Sequence, residues 1–309
     1  GPNVVKAGDA DGDGLPDFAQ MVGRYTEDVL ARYEDFGFRP LVSDNGAGGS
    51  DAMDVYLVDF HGDFDTAEHC HASREQLAGI RGVCLDIDET LSTRGKLTSQ
   101  AYDALWRLKS AGFYVVPITG RPAGWCDLIA RFWPVDAVVG ENGGFSFLMR
   151  EGRRTRLTTP GAAPDPRPAL DRLGQKIRER FPAAHWASDQ AYREYDLAID
   201  FCEDVPAWPR SDVDELVRIC EAEGAHAKVS SIHVNAWFGD YDKHKGFMHL
   251  LEQCPGLPRA DEWLFIGDSP NDEPLFARFA QSVGVANLRE FSDRLKHPPR
   301  WLTSQESGA

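Results

Sequence analysis

Three short apolar runs in this chain each end in a cluster of polar residues, and this arrangement constrains the fold more than any other feature. The runs cover residues 83–85, 113–118 and 263–266, and the clusters that follow them cover residues 86–90, 119–122 and 267–272. Short apolar runs bounded by turn residues are typical of buried strands. Because ligands bind beyond the carboxyl ends of the strands in an open parallel sheet, the pattern predicts one site built from three distant segments.

The pattern between these runs alternates strands and helices. A helix over 99–111, capped by Thr98 or Ser99, separates the first two strands and predicts a βαβ unit. Further strands are expected at 136–140 and 282–286, a hairpin turning at 151–152, and a helix at 246–252. The fold class is therefore predicted to be α/β, with a doubly wound, mostly parallel sheet.

A second α/β module interrupts this core. Its proline-rich start marks a boundary, and helices at 169–180 and 212–223 alternate with strands at 197–201 and 227–238. The predicted organisation is an N-terminal Asp/Gly-rich extension and linker (1–75), a first part of the core (76–159), an inserted α/β cap (160–238) and a second part of the core (239–309).

Composition excludes several partners. The 309 residues carry a formal net charge of −16, which argues against nucleic acid and anionic membranes, because both attract basic patches. No apolar stretch approaches the roughly 20 residues of a membrane span. Six cysteines without paired spacing indicate free thiols and favour a cytoplasmic location.

The first cluster has the residues that phosphate-ester hydrolysis through an aspartyl-phosphate requires. Asp86 lies at the mouth of the strand, where a carboxylate could attack phosphorus. Asp88, two residues later, could protonate the leaving alkoxide and then deprotonate water. Thr119 offers a hydroxyl and Gly120 an unobstructed backbone N–H to the transferred group.

These acids require a cation. Two like charges about 4 Å apart cost roughly 4 kcal/mol at an effective dielectric of 20, and Asp86, Asp88, Asp268 and Asp272 would share one pocket with a phosphate. Mg²⁺ suits such ligands. We expect the side chains of Asp86 and Asp268 and the carbonyl of Asp88 to bind it, with Asp272 orienting water ligands or the lysine. That lysine would neutralise the phosphoryl oxygens and the nucleophile.

Residues 81–286 resemble the haloacid dehalogenase superfamily, in particular the Cof-type and sucrose-phosphate phosphatase-like subfamily (IIB), which carries a large cap between its second and third motifs. The resemblance implies that Asp86 is the nucleophile, Asp88 the acid and base, and Thr119 a phosphate ligand. It also implies that Asp268 binds the metal, that Asn271 binds phosphate and that Asp272 supports the metal. Residues 141–144 resemble the Asn-Gly turn that precedes the cap.

Two positions depart from that pattern. Glu89 stands where relatives often have glycine, so this turn need not adopt positive φ here. Lys245-Gly246 matches the Lys-Gly pair of many relatives. However, counted from Lys243, the apolar face of the following helix falls at +3, +4 and +7. We therefore take Lys243 as the lysine of the third motif.

Substrate choice is predicted to lie in the cap and at the mouth of the core. His233, Asn235 and Trp237 share one face of a strand that could bind sugar hydroxyls, although an ordinary solvated face is the competing interpretation. Glu141 and Asn142 could contact the leaving group. The polar cluster at 192–194 is a weaker candidate.

The N-terminal segment resembles the Asp-Gly-rich calcium loops of secreted bacterial proteins. Four aspartates fit that spacing with Gly14 at position six, and Gln20 replaces the bidentate glutamate, so any calcium binding should be weak. The aspartates are Asp9, Asp11, Asp13 and Asp17. A flexible acidic turn is the alternative, and a transition-metal site at His61, His69, Cys70 and His71 is less favoured. A calcium loop would leave a secreted location open.

The leading hypothesis is a Mg²⁺-dependent phosphatase that acts on a small phosphorylated metabolite, most readily a sugar phosphate. One alternative is a phosphomutase or phosphotransferase with the same residues, which returns the phosphoryl group to the substrate. Another is a secreted calcium-dependent binding protein with a relic site. The sequence leaves the oligomeric state open.

Overall fold

A computed structural model describes residues 77–303 and Ser307. Its central sheet has five parallel strands in the order β12-β11-β10-β1-β2. Their bounds are β1 Gly82–Leu85, β2 Tyr114–Pro117, β10 Trp263–Gly267, β11 Ser282–Gly284 and β12 Trp301–Leu302. Strand β1 lies in the middle, with Val83 paired to Val115 on one side and Leu264 on the other. The parallel α/β fold predicted from the sequence is confirmed.

Helices cover both faces of this sheet. The helices of the core are α1 Ser99–Ser110, α2 Ala123–Phe132, α5 Lys243–Gln253 and α6 Glu273–Phe276. Helix α1 begins where the Thr98 side chain accepts a hydrogen bond from the backbone N–H of Ala101. Its buried residues Ala101, Leu105 and Leu108 recur at helical spacing and pack against β1 and β2.

The apolar side chains of the core divide between the two faces of the central sheet, because successive residues of a strand point to opposite faces. Cys84 and Val116 point to the face that holds Phe247 and Phe265, whereas Val83 and Val115 point to the face under α1. Because both faces of the sheet are apolar, its polar chemistry is confined to the ends of the strands.

A three-stranded antiparallel sheet extends the core beyond β2. It comprises β3 Val138–Gly140, β4 Phe145–Arg150 and β5 Arg153–Thr158. Strand β3 continues the parallel arrangement, because the Thr119 N–H donates to the carbonyl of Val139 at 2.9 Å. The hairpin between β4 and β5 turns at 151–152, as predicted.

The inserted segment forms a second α/β layer with its own apolar core. Helices α3 Arg167–Arg180 and α4 Arg210–Ala222 pack on an antiparallel sheet of order β6-β7-β9-β8. The strands are β6 His185–Trp186, β7 Asp196–Asp200, β8 His226–Val229 and β9 His233–Trp237. We call this layer the cap.

The chain passes between core and cap twice, near Gly161 and near Gly239, and these two crossings are hydrogen-bonded to each other. The Asp240 N–H donates to the carbonyl of Gly161 at 3.1 Å, and Ala162 pairs with Gly239 in an isolated bridge. Both glycines have positive φ, +94° and +114°, and a Cβ on either would overlap the opposite crossing. Glycine is therefore required on both sides of this contact.

Within the described residues, no helix is long and apolar enough to cross a membrane. The five cysteines in this part of the chain are free thiols, and four of them are buried.

Candidate active site

The three polar clusters meet at the carboxyl ends of β1, β2 and β10. Asp86 follows β1, Thr119 follows β2, and Asp268 follows β10, and all three side chains are buried. Thr90 links the first and third clusters by donating to Asp268 Oδ1 at 3.1 Å. The site predicted from three distant segments is thus assembled in one place.

A buried carboxylate cluster occupies this junction. Asp86, Asp268 and Asp272 each offer one oxygen, and these oxygens all lie within 4.8 Å of one another. Burial, and then the charges of Asp272 and Asp88, raise the pKa of Asp86 to about 7, although Lys243 lowers it. Burial and the charges of Asp86 and Asp272 also raise the pKa of Asp268 above its ordinary range. The cluster therefore holds more negative charge than its protein surroundings balance.

Lys243 is the cation that the protein supplies. It opens helix α5 and is buried, with Nζ 2.7 Å from Asp272 Oδ1 and 3.1 Å from Asp86 Oδ1. Burial disfavours its charge, but Asp272 and Asp86 raise its pKa above the ordinary value. Lys245 is instead exposed and pairs with Asp240. The structure thus places Lys243, rather than Lys245, among the carboxylates.

One lysine cannot balance three close carboxylates, and the remaining charge fits a hard divalent cation. Carboxylate and carbonyl oxygens are the ligands that Mg²⁺ prefers, and Asp86 and Asp268 present them from neighbouring strands. Asp272 has a more structural position. Its Oδ2 accepts hydrogen bonds from the backbone N–H groups of Asp268 and Ser269, at 3.0 and 3.3 Å, which fixes the loop that carries Asp268.

Gly120 and two asparagines form the wall beside this cluster. Asn271 Nδ2 lies 3.4 Å from Asn142 Oδ1, and a Cβ on Gly120 would lie 3.3 Å from the Asn142 amide. The Nδ2 of Asn142 is buried and has no hydrogen-bond partner in the described part of the chain. An amide N–H group without a partner can donate a hydrogen bond to a negatively charged oxygen. Thr119 is fully buried, and its hydroxyl accepts the backbone N–H of Arg121 at 3.0 Å.

The cap closes over these residues. The cavity between them has a volume of only about 10 Å³, close to the minimum that holds one water molecule. The core and the cap both contribute to its lining, which comprises Asp86, Asp88, Gly120, Arg121, Arg193, Ser230, Ile232, His233, Asn235 and Asn271. His233 and Asn235 are buried on β9, so the solvated-face interpretation is wrong.

No protein-family model matches the chain. A curated phosphoglycolate phosphatase from Methanospirillum hungatei is 26% identical over 216 residues, covering 68% of this chain and 86% of the relative. A solved structure from Thermoplasma acidophilum is 21% identical with a TM-score of 0.58, covering 74% of this chain and 93% of its own.

Two further solved structures carry functional names. The sucrose-phosphatase from Synechocystis is 18% identical with a TM-score of 0.52, covering 74% of this chain and 93% of its own. A haloacid dehalogenase subclass IIB sugar phosphatase is 13% identical with a TM-score of 0.51, covering 69% of this chain and 90% of its own.

This chain has the haloacid dehalogenase fold. The resemblance predicted from the motifs is confirmed, whereas the resemblance to calcium loops is unsupported, and Asp9, Asp11, Asp13 and Asp17 lie outside the described residues.

Glu89 corrects one expectation about this site. The sequence indicated that positive φ was not needed at this turn, but Glu89 has φ of +53°. The strained backbone is held by hydrogen bonds at both ends: the Glu89 carbonyl accepts from Asn287 at 2.9 Å, and its carboxylate accepts from the Gly95 N–H at 3.1 Å. The local geometry is therefore kept without glycine.

Glu141 corrects a second expectation, because its side chain has a structural role. Its oxygens accept the backbone N–H groups of Ala123, Glu194 and Tyr195. Burial and the charge of Asp196 raise its pKa to about 8, while the hydrogen bonds from Tyr195 and Glu194 oppose that shift. Both oxygens are occupied in joining helix α2 of the core to the cap, which leaves none for a leaving group.

Trp237 is also directed away from the cavity. Its indole N–H donates to the carbonyl of Tyr241 at 3.1 Å, and its ring stacks on those of His226 and Tyr241. Of the predicted stripe on β9, only His233 and Asn235 line the cavity.

Two arginines belong to the site: Arg121 was given no role by the sequence, and Arg193 only a weaker one in substrate choice. Arg121 belongs to the polar residues 119–122. Its guanidinium pairs with Asp88, so the Asp88 side chain contacts Arg121 and is not part of the group formed by Asp86, Asp268 and Asp272. Arg193 comes from the weaker cluster at 192–194, is fully buried and donates to the carbonyl of Gly120 at 2.8 Å. The position of Arg121 directly after Gly120 was the available signal for a contact with the site.

Proposed function

We propose that the chain is a Mg²⁺-dependent phosphoric monoester hydrolase that works through an aspartyl-phosphate on Asp86. The observation that carries the proposal is the buried group of Asp86, Asp268, Asp272 and Lys243 at the carboxyl ends of the strands. Asp86 belongs to this group and also lines the cavity, so its carboxylate can reach a bound phosphoryl group. The phosphatase names of the relatives agree with this chemistry.

The proposed reaction has two steps that share one carboxylate pair. In the first, an Asp86 oxygen attacks phosphorus, the ester P–O bond breaks, and Asp88 gives its proton to the leaving alkoxide. In the second, water attacks the aspartyl-phosphate, Asp88 takes the proton of that water, and inorganic phosphate leaves. Asp86 and Asp88 are then in their starting forms, so the cycle balances.

The surrounding groups stabilise the transferred phosphoryl group. Lys243 neutralises charge between Asp86 and Asp272, and Gly120, Thr119, Asn142 and Asn271 provide or position donors for phosphoryl oxygens. Asp86, Asp268 and the Asp88 carbonyl would hold Mg²⁺, with Asp272 orienting the loop. When bound, the ion supplies charge stabilisation to the phosphoryl oxygens.

The substrate that we propose is a small phosphorylated metabolite, most readily a sugar phosphate. Two named neighbours act on sugar phosphates by their names, and a curated relative is named for phosphoglycolate. His233 and Asn235 offer hydrogen-bonding groups on the cap side of the cavity, where the leaving group would lie. A screen of sugar phosphates that includes phosphoglycolate covers both classes.

Asp86→Asn is the decisive test of the nucleophile. The amide cannot accept the phosphoryl group, so release of phosphate should fall by about 10³-fold or more. The matched control is Asp103→Asn on the exposed side of α1, which should keep wild-type rates. Removal of divalent ions with a chelator should also abolish turnover, and Mg²⁺ should restore it.

Wild-type rates in Asp86→Asn would contradict the proposal. Products decide between hydrolase and mutase: with a hexose 1-phosphate, free phosphate supports hydrolysis, whereas isomerised hexose phosphate supports a phosphomutase.

A further inference from the structure

The guanidinium of Arg121 connects the core aspartate Asp88 to the cap. Its Nε lies 3.0 and 2.9 Å from the two oxygens of Asp88, and its Nη2 lies 2.8 Å from Asp88 Oδ1. These three contacts hold the carboxylate from one side in a fork-like arrangement. Asp88 therefore has a defined position only as long as the guanidinium has one.

The same guanidinium is held in turn by two carboxylates of the cap. Its Nη1 lies 3.2 Å from Asp189 Oδ2, and its Nη2 lies 2.8 Å from Glu203 Oε1. The face of the guanidinium rests on the ring of Trp125, 4.4 Å from the ring centroid. Every nitrogen of Arg121 is thus engaged, two of them by the cap.

Arg121 and Glu203 are both charged at neutral pH. Partial burial disfavours the charge of Glu203, but His233, whose Nε2 lies 2.8 Å away, and Arg121 lower its pKa to about 2. The side chain of Arg121 is buried among three carboxylates, which keep it protonated. The contact between Arg121 and Glu203 is therefore an ion pair, and its geometry depends on where the cap lies.

We propose that Glu203 and Asp189 act through Arg121 to hold Asp88 in place for proton transfer. Arg121 is then a positioning residue, and the cap contributes to the chemistry without touching the phosphoryl group. Contact of the two cap carboxylates with Arg121 sets the position of Asp88. The inference rests on the proposed function, because it gives Asp88 the role of acid and base.

Esters of different leaving groups separate this role from a structural one. Phenyl phosphate and p-nitrophenyl phosphate have nearly the same shape. Phenolate, like the tyrosine side chain with a pKa of about 10, needs a proton as it leaves. The nitro group stabilises p-nitrophenolate, so its departure depends less on an acid. A misplaced Asp88 should therefore slow phenyl phosphate more than p-nitrophenyl phosphate.

Glu203→Gln is the informative variant, because Glu203 is partly exposed and its removal leaves no cavity in the core. The quantity to compare is kcat/KM, because it reports only the steps up to release of the phenol and so leaves out the later hydrolysis, in which Asp88 also acts. We expect kcat/KM for phenyl phosphate to fall about tenfold, a part of the 10²–10⁴-fold that an acid contributes, with less than about a twofold change for p-nitrophenyl phosphate. Asp88→Asn gives the full selective loss for comparison, and Arg121→Lys, which cannot form the fork, should resemble Glu203→Gln.

The matched control is Arg210→Gln. It removes another ion pair between cap and core, with Asp293 at 2.5 Å, which is exposed and does not involve Asp88. This variant should retain the wild-type ratio of the two rates. In the double variant Asp88→Asn/Glu203→Gln, the second change should add nothing, because it acts through a group already removed.

Equal losses on both esters in Glu203→Gln, or none, would overturn the inference, as would an additive double variant. A failure of the proposed function gives a different result. In that case the wild type itself releases no phosphate from either ester, or Asp88→Asn shows no dependence on the leaving group.

Discussion

At the scale of single residues, the position of a buried lysine decides how much charge the site can hold. Lys243 lies between Asp86 and Asp272 and is almost fully buried, whereas Lys245, two residues later, points to solvent. Removing a buried member of an ion cluster leaves charge without compensation, which costs about 3–5 kcal/mol. Exposed pairs contribute about 0–1 kcal/mol.

We therefore expect Lys243→Met to abolish phosphatase activity and to lower the urea midpoint of unfolding strongly. Lys245→Met is the matched control and should change both quantities little. Activity assays and urea titrations of the two variants, at equal Mg²⁺, test this. The assignment of the lysine would be wrong if Lys245→Met were the inactive variant.

The sequence predicted the residues whose position depends on strand ends. Asp86, Thr119 and Asp268 follow apolar runs that could be read directly, and the helical face after Lys243 favoured that lysine over Lys245. Arg121 was not assigned, because its direction is set by Asp189 and Glu203, which lie 68 and 82 positions away in the chain. Glu141 was misassigned for a similar reason, since only the fold shows that backbone N–H groups occupy its carboxylate.

At the scale of elements, helix α5 packs unusually close to the turn before β4. A Cβ on Gly246 would lie 2.5 Å from the Cα of Gly143, and one on Gly143 would lie 2.0 Å from the carbonyl of Asp242. This approach brings the backbone of Lys243, at the start of α5, against Gly143 of the turn. The element bounds also explain a difference from the sequence prediction. Helix α5 begins three residues before 246, because the Asp242 side chain caps it.

Gly246→Ala should destabilise the protein by about 1–3 kcal/mol, because the added methyl group must displace backbone. The loss should appear even though alanine favours a helix over glycine by about 1 kcal/mol. Gly256→Ala is the control, since no atom lies within 4 Å of its added Cβ. Chemical denaturation of both variants measures the difference. Equal stability of the two would show that the contact between helix and turn is looser than described.

At the scale of the whole molecule, ion pairs join the cap to the core and make their contact sensitive to acid. Glu203 has a pKa of about 2 in the folded protein and an ordinary value near 4.3 when unfolded. A carboxylate with a lowered pKa stabilises the folded state above its unfolded pKa, and the contribution is lost as pH falls through the folded pKa. For a partly exposed group, screening reduces this contribution to about 1–2 kcal/mol.

The difference in unfolding free energy between wild type and Glu203→Gln should therefore be largest at pH 5 to 7. It should shrink progressively as pH falls from about 4.3 toward 2. Urea unfolding at pH 7, 5 and 3 measures it. Glu215→Gln, which removes a partner of the exposed Arg180 on the cap surface, is the control and should show a smaller effect. A difference independent of pH would assign the effect of Glu203 to packing.

The paired crossings at Gly161 and Gly239 determine how the molecule can open. Because each crossing is hydrogen-bonded to the other, we expect the two to bend together, so that the cap turns about one axis near both glycines. Opening of the cavity between cap and core would then require a single hinge. The segment that enters the cap and the segment that leaves it would rotate together about that hinge.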